Sequence, residues 1–363
     1  MRTRPGRALT PFRIPLRTRF RRVDVREGVL IQGPCGWGEF SPFPDYGPAT
    51  CARWLAAARE AAFRPWPVAL RDRIPVNTTV PAVGPEQARA MVAASGCRTA
   101  KVKVAERGVA DSLAADLARV EAVRDALGPH GRLRVDANAG WDLDTAERAI
   151  RALDRYDLEY VEQPVATLDE MARLRRRVDV PLAADESVRD LVARSHGREL
   201  VARSHAREPA ARGDVGNGRM PERRVFLEAA DIVVLKVQPL GGVWPALELA
   251  DAIGLPTVVS SAVETSIGLA AGLALAAAMP ELPYACGLGT ATLLTDDVVA
   301  DPLLPEEGVI ALRRPVPDKT ALARCAPAGE HARRLLDRLN AAHTADAADT
   351  SDTADGADTA DRA

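Results

Sequence analysis

The segment RLRVDA, residues 132–137, is a short run of β-forming residues that ends at an acidic side chain and is followed by a helical pattern. Seven other short runs along the chain share this character. Most of them start about 23 to 33 residues apart, which is the size of one strand–helix unit. Eight such units predict a closed α/β barrel of the TIM type, for which about 250 residues are typical. The other runs are 75–82, 99–105, 158–163, 180–186, 231–238, 256–262 and 283–288.

One interval departs from this spacing. The fifth and sixth runs start about 50 residues apart, roughly twice the length of one unit. The interval contains the tandem repeat LVARSHGRE (191–199) and LVARSHARE (200–208), followed by a segment rich in Gly and Arg. We interpret 188–224 as an insertion, partly helix and partly loop, on the outside of the barrel.

The two ends of the chain are expected to lie outside the barrel. Residues 1–74 predict an α+β capping domain, onto which 305–341 would pack back, and the catalytic barrel would occupy 75–304. From 342 to 363 the chain consists mainly of Ala, Asp and Thr. This composition cannot bury a core, so we expect a disordered acidic tail. The predicted fold class is therefore α/β, a modified TIM barrel with a capping domain built from both ends of the chain.

Composition narrows the class of partner. The 363 residues carry a net charge of −2 and are 47% hydrophobic, which is typical of a globular protein and does not favour nucleic acid or an anionic membrane as partner. No apolar run reaches the ~18 to 20 residues of a membrane span, and no apolar export signal begins the chain. The five cysteines are scattered, which favours a reducing cytoplasm. No pattern indicates an oligomeric state.

Three acidic residues end successive strands of the predicted barrel: Asp136, Glu162 and Asp185. The C-terminal ends of barrel strands form the active face, so the three side chains should converge there. Three unpaired carboxylates would repel one another and would be costly to bury. A hard divalent cation removes that cost, and all-oxygen ligands suit Mg²⁺. The alternative is that each of the three acids is a helix cap or a surface ion pair. All three would then have to occur at equivalent strand ends by coincidence.

Three lysines are expected to face the same point. Lys101 and Lys103 lie two residues apart on the second strand, so both point to one face. Mutual repulsion should lower the pKa of one of them and provide a neutral amine as a base. Lys236 lies on the sixth strand, across the barrel. This set suits proton removal beside a substrate carboxylate, where metal and ammonium groups stabilise the enediolate.

The motifs together resemble the enolase superfamily, in its muconate-lactonizing subgroup, and within it the o-succinylbenzoate synthase family of the actinobacterial type. The matching motifs extend over most of the chain, from about residue 16 to about residue 290, except for the insertion. They are GWGEFSPFPDY (36–46), TAKVKV (99–104), DANAGW (136–141), VEQP (161–164), ADES (184–187) and VVLKVQPLGG (233–242).

The resemblance implies a role for each residue of the site. Lys103 would be the base and would return its proton to the departing hydroxyl in a syn elimination of water. Lys101 would contact the substrate carboxylate, and Lys236 would stabilise the enediolate from the other face. The carboxylates would be the Mg²⁺ ligands. The remaining implied residues are Asn138 and Glu186, which would orient the ligands; Ser260, Ser261 and the backbone near Gly287, which would receive the succinyl end; and Arg19, which would close over the substrate.

Related reactions remain open at this stage. A mandelate-racemase type needs a histidine base opposite the lysine pair, and no histidine occurs between 206 and 330. A dipeptide epimerase needs Asp-x-Asp at the eighth strand, where this chain has CGLG (286–289). N-acylamino acid racemase and muconate cycloisomerase use the same lysines and metal, so the catalytic residues do not exclude them. A non-catalytic scaffold would be expected to have lost at least one of these residues.

Overall fold

The N-terminal part of the chain is an antiparallel sheet covered by one helix. The computed structural model describes residues 9–106, 112–194 and 223–360. Helix and sheet approach closely because β3 carries Gly38, where a Cβ atom would lie 1.9 Å from the carbonyl oxygen of Ala58. The elements are β1 (Leu9–Phe20), β2 (Val23–Gly33), β3 (Gly36–Phe40) and α1 (Pro48–Phe63), with the strands in the order β1-β2-β3.

Seven parallel strands then curl into one sheet whose order follows the chain, as a barrel requires. The described segments between them form helices on the outside. The strands are β5 (Thr78–Val80), β6 (Thr99–Lys103), β7 (Arg132–Asp136), β8 (Leu158–Glu162), β9 (Leu182–Ala184), β10 (Ile232–Lys236) and β11 (Thr257–Ser260), preceded by β4 (Arg73–Pro75). The helices are α2 (Pro85–Ser95), α3 (Leu113–Leu127), α4 (Leu143–Leu153), α5 (Leu168–Arg175), α6 (Glu186–Arg194), α7 (Arg223–Ala229), α8 (Val237–Leu240), α9 (Val243–Ile253) and α10 (Ser266–Ala278).

The barrel closes without a regular eighth strand. The sequence predicts a strand over 283–288, but the described structure has only isolated parallel bridges there, between Val76 and Cys286 and between Ser260 and Gly287. Proline explains part of the difference, because Pro283 cannot donate to a strand ladder. Gly287 also cannot be replaced without contact, since a Cβ atom there would lie 2.5 Å from Ser260 Oγ. We call this closure, residues 75–77 with 285–287, the seam.

The C-terminal segment returns to the N-terminal sheet. Strand β12 (Val309–Ala311) pairs antiparallel with β4, and two helices follow, α11 (Lys319–Arg324) and α12 (Gly329–Ala360). Leu335 and Leu339 of α12 pack in one apolar cluster with α1 and the strands β2 and β3. These contacts support, as a proposal, the division into a capping part at 1–74 and 305–341 around a barrel at 75–304.

The described structure differs from the prediction of a disordered segment from 342 onward. Helix α12 continues through Ala360. The physical reason is that Ala has the highest helix propensity, and extending a helix that is already packed avoids the cost of nucleation. Of the predicted insertion 188–224, the structure describes residues up to Arg194 and from Arg223, and the rest lies outside the described residues. No helix in the described part of the chain is long and apolar enough to cross a bilayer.

Two buried carboxylates join the capping part to the barrel. Glu60 of α1 accepts hydrogen bonds from the backbone amides of Val243 (2.5 Å) and Trp244 (3.3 Å), at the start of α9. Glu39 of β3 accepts from the hydroxyl of Thr265 (2.5 Å) and the amide of Gly268 (3.0 Å), at the start of α10. Carboxylates are favourable at helix N-termini, where free amides and the helix dipole are positive. The helix starts at the active face are therefore fixed by the capping part.

Replacing Gly242 with alanine should destabilise this junction. A Cβ atom at Gly242 would lie 2.4 Å from the Glu60 carboxylate, and the φ of 144° is unfavourable for alanine. We expect Gly242→Ala to lower the free energy of unfolding by about 2 kcal/mol or more, measured by urea denaturation. Gly84→Ala is the matched control, because Gly84 also precedes a helix but has an ordinary φ of −65° and open space around it. Equal stability of the two variants would contradict the prediction.

Glu60 should also make stability depend on pH. Burial raises its pKa to about 7, although the amides of Val243 and Trp244 act in the opposite direction. The folded state therefore holds this proton more tightly than the unfolded state, so the free energy of unfolding falls as pH rises from the ordinary carboxyl pKa to about 7. Glu60→Gln cannot titrate, so its stability relative to the unmodified protein should increase from pH 5 to pH 8. The same change at exposed Glu86 is the control; a pH-independent difference for Glu60→Gln would refute the expectation.

Candidate active site

Three carboxylates lie side by side at the C-terminal ends of neighbouring strands. Asp136 and Glu162 are the last residues of β7 and β8 and are direct partners in the strand register. Asp185 follows β9 immediately. All three side chains are buried. Parallel alignment of strand ends therefore gathers in one row the acidic residues that are 23 to 26 positions apart in the chain.

Three lysine amines contact this row. Lys101 Nζ lies 3.0 and 2.9 Å from the two carboxylate oxygens of Glu162 and 3.4 Å from Asp136 Oδ2. Lys103 Nζ lies 2.5 Å from Asp136 Oδ2, and Lys236 donates to Asp185 Oδ2. Lys103 and Lys236 thus pair with the two outer carboxylates of the row, and Glu162 lies between. This arrangement brings together the three acids and three lysines that the sequence identifies. The chain has only four lysines, so three of them are at this site.

The pKa values of the lysines are pushed in different directions. Burial lowers the pKa of Lys103, and the ammonium groups of Lys101 and Lys236 add to that effect, so that attraction by the Asp136 carboxylate does not restore it. Burial also opposes the charge on Lys101, but the carboxylates of Glu162 and Asp136 outweigh burial and raise its pKa. Of the lysine pair on β6, Lys103 is therefore the one that loses its proton more readily. The sequence predicts that one lysine of the pair has a lowered pKa, and these directions agree with that prediction.

The donor set fits a divalent cation. Within residues 9–106, 112–194 and 223–360, no three acidic, histidine or cysteine side chains already surround one point as metal ligands. Each carboxylate of the row is instead hydrogen-bonded to a lysine. Burial, and then the neighbouring carboxylate of Asp136, raise the pKa of Glu162 to about 8. Added positive charge would therefore stabilise the ionised row. Glu186 Oε2 is also buried without a hydrogen-bond partner.

Polar neighbours hold these groups in place. Asn138 accepts a hydrogen bond from Lys103 Nζ (2.7 Å), and its side-chain amide donates to Glu186 Oε1 (2.9 Å). Gln163 was not identified from the sequence as a site residue, although it belongs to the VEQP motif. Its side-chain oxygen accepts from the amides of Asp185 (3.0 Å) and Ser187 (3.1 Å). Gln163 thus fixes the backbone that presents Asp185.

A cavity of about 320 Å³, counting its part open to solvent, lies over the three amines. Ser260, Ser261 and Gly287, the residues that the resemblance implies for the succinyl end, line this cavity. The serines are connected to the seam, because Ser261 Oγ donates to the carbonyl of Gly287 (2.9 Å). Further lining residues could not be identified from the sequence, because single aromatic, threonine and alanine residues outside the motifs carry no signal. These are Phe20, Thr79, Ala262 and Thr290.

The arginine at this cavity is Arg21, whereas the sequence prediction named Arg19. Arg19 is exposed, and its guanidinium reaches the carbonyl of Arg22 at 3.5 Å. Arg21 lines the cavity and lies 3.9 Å from Glu186 Oε1. The β1–β2 turn explains the difference: Arg21 and Arg22 have φ values of 48° and 65°, and the strand register shifts just before the turn. The backbone rotation turns Arg21 toward the site and leaves Arg19 outside.

Comparisons with known proteins match family models and curated relatives to most of the chain. A family model described as enolase C-terminal domain-like matches residues 85–207 and 210–319, and one described as enolase N-terminal domain-like matches 12–62. The chain is similar to an o-succinylbenzoate synthase from Thermobifida fusca, with 62% identity over 309 residues that cover 85% of this chain and 87% of that protein. It is 48% identical over 332 residues to the o-succinylbenzoate synthase of Mycolicibacterium smegmatis, covering 91% and 93%.

Solved structures share the fold at low sequence identity. A muconate lactonizing enzyme from Pseudomonas fluorescens, complexed with muconolactone, has a TM-score of 0.70 and 20% identity, covering 89% of this chain and 98% of that chain. An N-succinyl Arg/Lys racemase from Bacillus cereus has a TM-score of 0.66 and 21% identity, covering 88% and 96%. These likenesses support the architecture of a barrel with a capping domain.

Proposed function

The chain belongs to the enolase superfamily, and we propose that it catalyses the o-succinylbenzoate synthase reaction. This is the syn elimination of water from 2-succinyl-6-hydroxy-2,4-cyclohexadiene-1-carboxylate, which yields 2-succinylbenzoate and would serve menaquinone biosynthesis. The observation that carries the proposal is the row of three buried carboxylates with amines paired to both of its ends. The 62% identical relative, which carries that name, supports the choice of substrate.

We further propose that Asp136, Glu162 and Asp185 hold a Mg²⁺ ion. Superfamily members generally depend on a divalent metal, and the all-oxygen donor set favours a hard cation. When bound, the ion would supply positive charge to the oxygens of a substrate carboxylate. The lysines that now neutralise the row would then have their nitrogen atoms available to the substrate.

Lys103 would take the proton from the carbon beside the carboxylate. The pKa of Lys103 is lowered by burial and by the two neighbouring ammonium groups, so the neutral amine is accessible. Asn138 would orient it, since its side-chain oxygen lies 2.7 Å from Lys103 Nζ. The C–H bond breaks, its proton moves to Nζ, and the electron pair moves into the carboxylate to form the enediolate.

The charge that develops would be stabilised by the other two amines. Burial disfavours the charge on both Lys101 and Lys236, but the neighbouring carboxylates outweigh it and raise their pKa values, so both are ammonium ions. Lys101 would contact the carboxylate, and Lys236 would act from the opposite end of the row. Fixed charges in a buried site stabilise such an intermediate without reorganisation.

The hydroxyl group would leave on the face where the proton was removed. Lys103 would return its proton to the hydroxyl oxygen, the C–O bond would break, and the electron pair of the enediolate would complete the aromatic ring. The sum is loss of one water molecule with no oxidation or reduction. Ser260, Ser261 and the backbone at Gly287 would receive the succinyl end, and Arg21, which lines the cavity, would close over the substrate instead of Arg19.

The runner-up is an N-acylamino acid racemase. It needs one amine to remove a proton and a second amine, on the other side of the substrate, to return one. Lys103 and Lys236, which pair with the two outer carboxylates of the row, would supply both. Muconate cycloisomerase would use the same groups. The described side chains that line the cavity include no acidic residue, whereas a dipeptide epimerase needs the Asp-x-Asp pair at the eighth strand. The five cysteines are all unpaired, which supports a cytoplasmic location as part of the proposal.

Metal binding should depend on the carboxylate row. We expect Asp185→Asn to weaken Mg²⁺ binding by at least about 10-fold, measured by isothermal titration calorimetry without substrate, because one of three anionic ligands is lost. Asp179→Asn is the matched control, since Asp179 is an exposed acid on the loop that precedes the same strand. Equal affinity in both variants would remove Asp185 from the metal site.

Turnover decides between the reactions. With Mg²⁺ and the cyclohexadiene substrate, the protein should form the aromatic product, which is followed by ultraviolet absorbance. Lys103→Ala should reduce kcat by ~10³-fold or more, because the proton acceptor is gone. Lys319→Ala, at the exposed fourth lysine, should retain full activity.

The contrary result is equally clear. No turnover of the cyclohexadiene alongside rapid racemisation of N-succinyl amino acids would replace the synthase proposal with the racemase. Near-normal dehydration by Lys103→Ala would exclude Lys103 as the base.

A further inference from the structure

A fully buried arginine lies inside the barrel, below the carboxylate row. Arg134 is on β7, two residues before Asp136, so its side chain points into the same lumen. Barrel interiors are usually filled by branched apolar side chains, and an arginine is costly to bury unless its hydrogen bonds are satisfied. Nothing in the proposed reaction requires a cation at this depth. Its contacts therefore need a separate explanation.

The guanidinium of Arg134 spans from β7 to both sides of the seam. Its Nη1 atom donates to Asn77 Oδ1 (3.3 Å) and to the carbonyl oxygen of Ala285 (2.7 Å). Its Nε atom pairs with Glu159 Oε2 at 2.5 Å, and the Tyr160 ring lies 4.7 Å from its Cζ atom. One planar group thus links the two chain segments of the seam from inside and is held from below by an anion and an aromatic face.

The seam has little else to hold it. Along its length the described residues make single bridges, with hydrogen bonds from Asn77 N to the carbonyl of Cys286 (2.9 Å) and from Cys286 N to the carbonyl of Pro75 (2.7 Å). Gly287 N donates to the carbonyl of Val259 (2.8 Å) on the other side. By contrast, β6 and β7 are joined by five register pairs, from Thr99 to Lys103. The Arg134 contacts lie beside the junction with the fewest register pairs among the described strands, since even β9 shares two with each of its neighbours.

The seam also carries one end of the substrate cavity. Gly287 lines the cavity and accepts a hydrogen bond from Ser261, and Thr290 follows two residues after the eighth-strand position. Thr79 lines it from β5, two residues after Asn77. A shift of the seam would therefore move the proposed succinyl end of the cavity, whereas the carboxylate row on β7 to β9 would stay in place.

We propose that Arg134 is a positioning residue that fixes the seam, and through it the substrate-binding end of the cavity. Arg134 does not contact the cavity itself and acts through Asn77 and Ala285. The part of this inference that concerns substrate affinity rests on the proposed function. The part that concerns the stability of the seam does not.

The test compares Arg134→Lys with a matched control on the same strand. Lysine retains the positive charge but cannot reach Glu159, Asn77 and Ala285 together, since it is a single donor group on a flexible stem. We expect KM to rise about 10-fold, with kcat changed less than about 3-fold and Mg²⁺ affinity less than about 2-fold. Arg132→Lys, at the exposed start of β7, should leave all three values unchanged.

Hydrogen–deuterium exchange, followed by mass spectrometry, tests the seam without any substrate. Peptides covering 75–80 and 283–290 should exchange faster in Arg134→Lys than in the unmodified protein, while peptides covering β8 should not. This measurement stands even if the protein proves to be a racemase, in which case KM is measured with that substrate. Should Arg134→Lys fail to fold, Asn77→Ala removes the Arg134 contact on the 75–77 side, together with the hydrogen bonds from Asn77 to the Thr78 carbonyl (3.0 Å) and Thr79 Oγ1 (3.4 Å). Exchange at 283–290, which the Asn77 side chain reaches through Arg134, should then rise as in Arg134→Lys, and KM should rise with it.

Two results would overturn the proposal. The first is unchanged exchange at 283–290 together with an unchanged KM. The second is a loss of kcat and of Mg²⁺ affinity at constant KM, which would mean that the charge of Arg134 acts on the carboxylates above it.

Discussion

The structure depends on the desolvation of charge inside the barrel. Asp136, Glu162 and Asp185 are buried side by side, and each would be unstable there without a cation. Lys101, Lys103 and Lys236 supply that balance and are themselves stable there only because the carboxylates are present. The positions of the acids on three neighbouring strands and of the amines on β6 and β10 are mutually required. A catalytic metal would take over part of a balance that the chain already maintains.

The same constraint shapes the junction between the capping part and the barrel. Glu39 and Glu60 are buried acids whose charge is met by the amides at the starts of α10 and α9. Because these helix starts lie at the C-terminal ends of the strands, the junction fixes the side of the barrel that carries the cavity. Arg26, also buried, adds hydrogen bonds from β2 to the carbonyls of Val263 and Ser41. The capping part is thus attached to the barrel by polar contacts that are sensitive to geometry, in addition to apolar packing.

The sequence predicts the strand–helix order and the two sets of charged residues because both follow from period and from the alignment of parallel strands. Sequence patterns do not predict the features that depend on how distant segments pack together. Whether Arg19 or Arg21 reaches the cavity depends on two residues of positive φ in a turn. The missing eighth strand depends on how the barrel closes, and Arg134 looks in the sequence like any strand residue. The helix that continues past 342 reflects packing of its first turns, which composition does not record.

The chain uses its two kinds of basic residue differently: arginine as a permanent cation, and lysine at the site where a proton must be accepted. The chain uses arginine almost throughout for positive charge, with four lysines among its 48 basic residues. Arginine forms the buried contacts at 26 and 134, where a permanent cation with several fixed donors is needed. The guanidinium remains protonated in proteins, so it cannot accept a proton at neutral pH. An exchange of lysine for arginine at 103 would preserve net charge and many hydrogen bonds, yet would remove the one property that distinguishes this position, the capacity to be neutral.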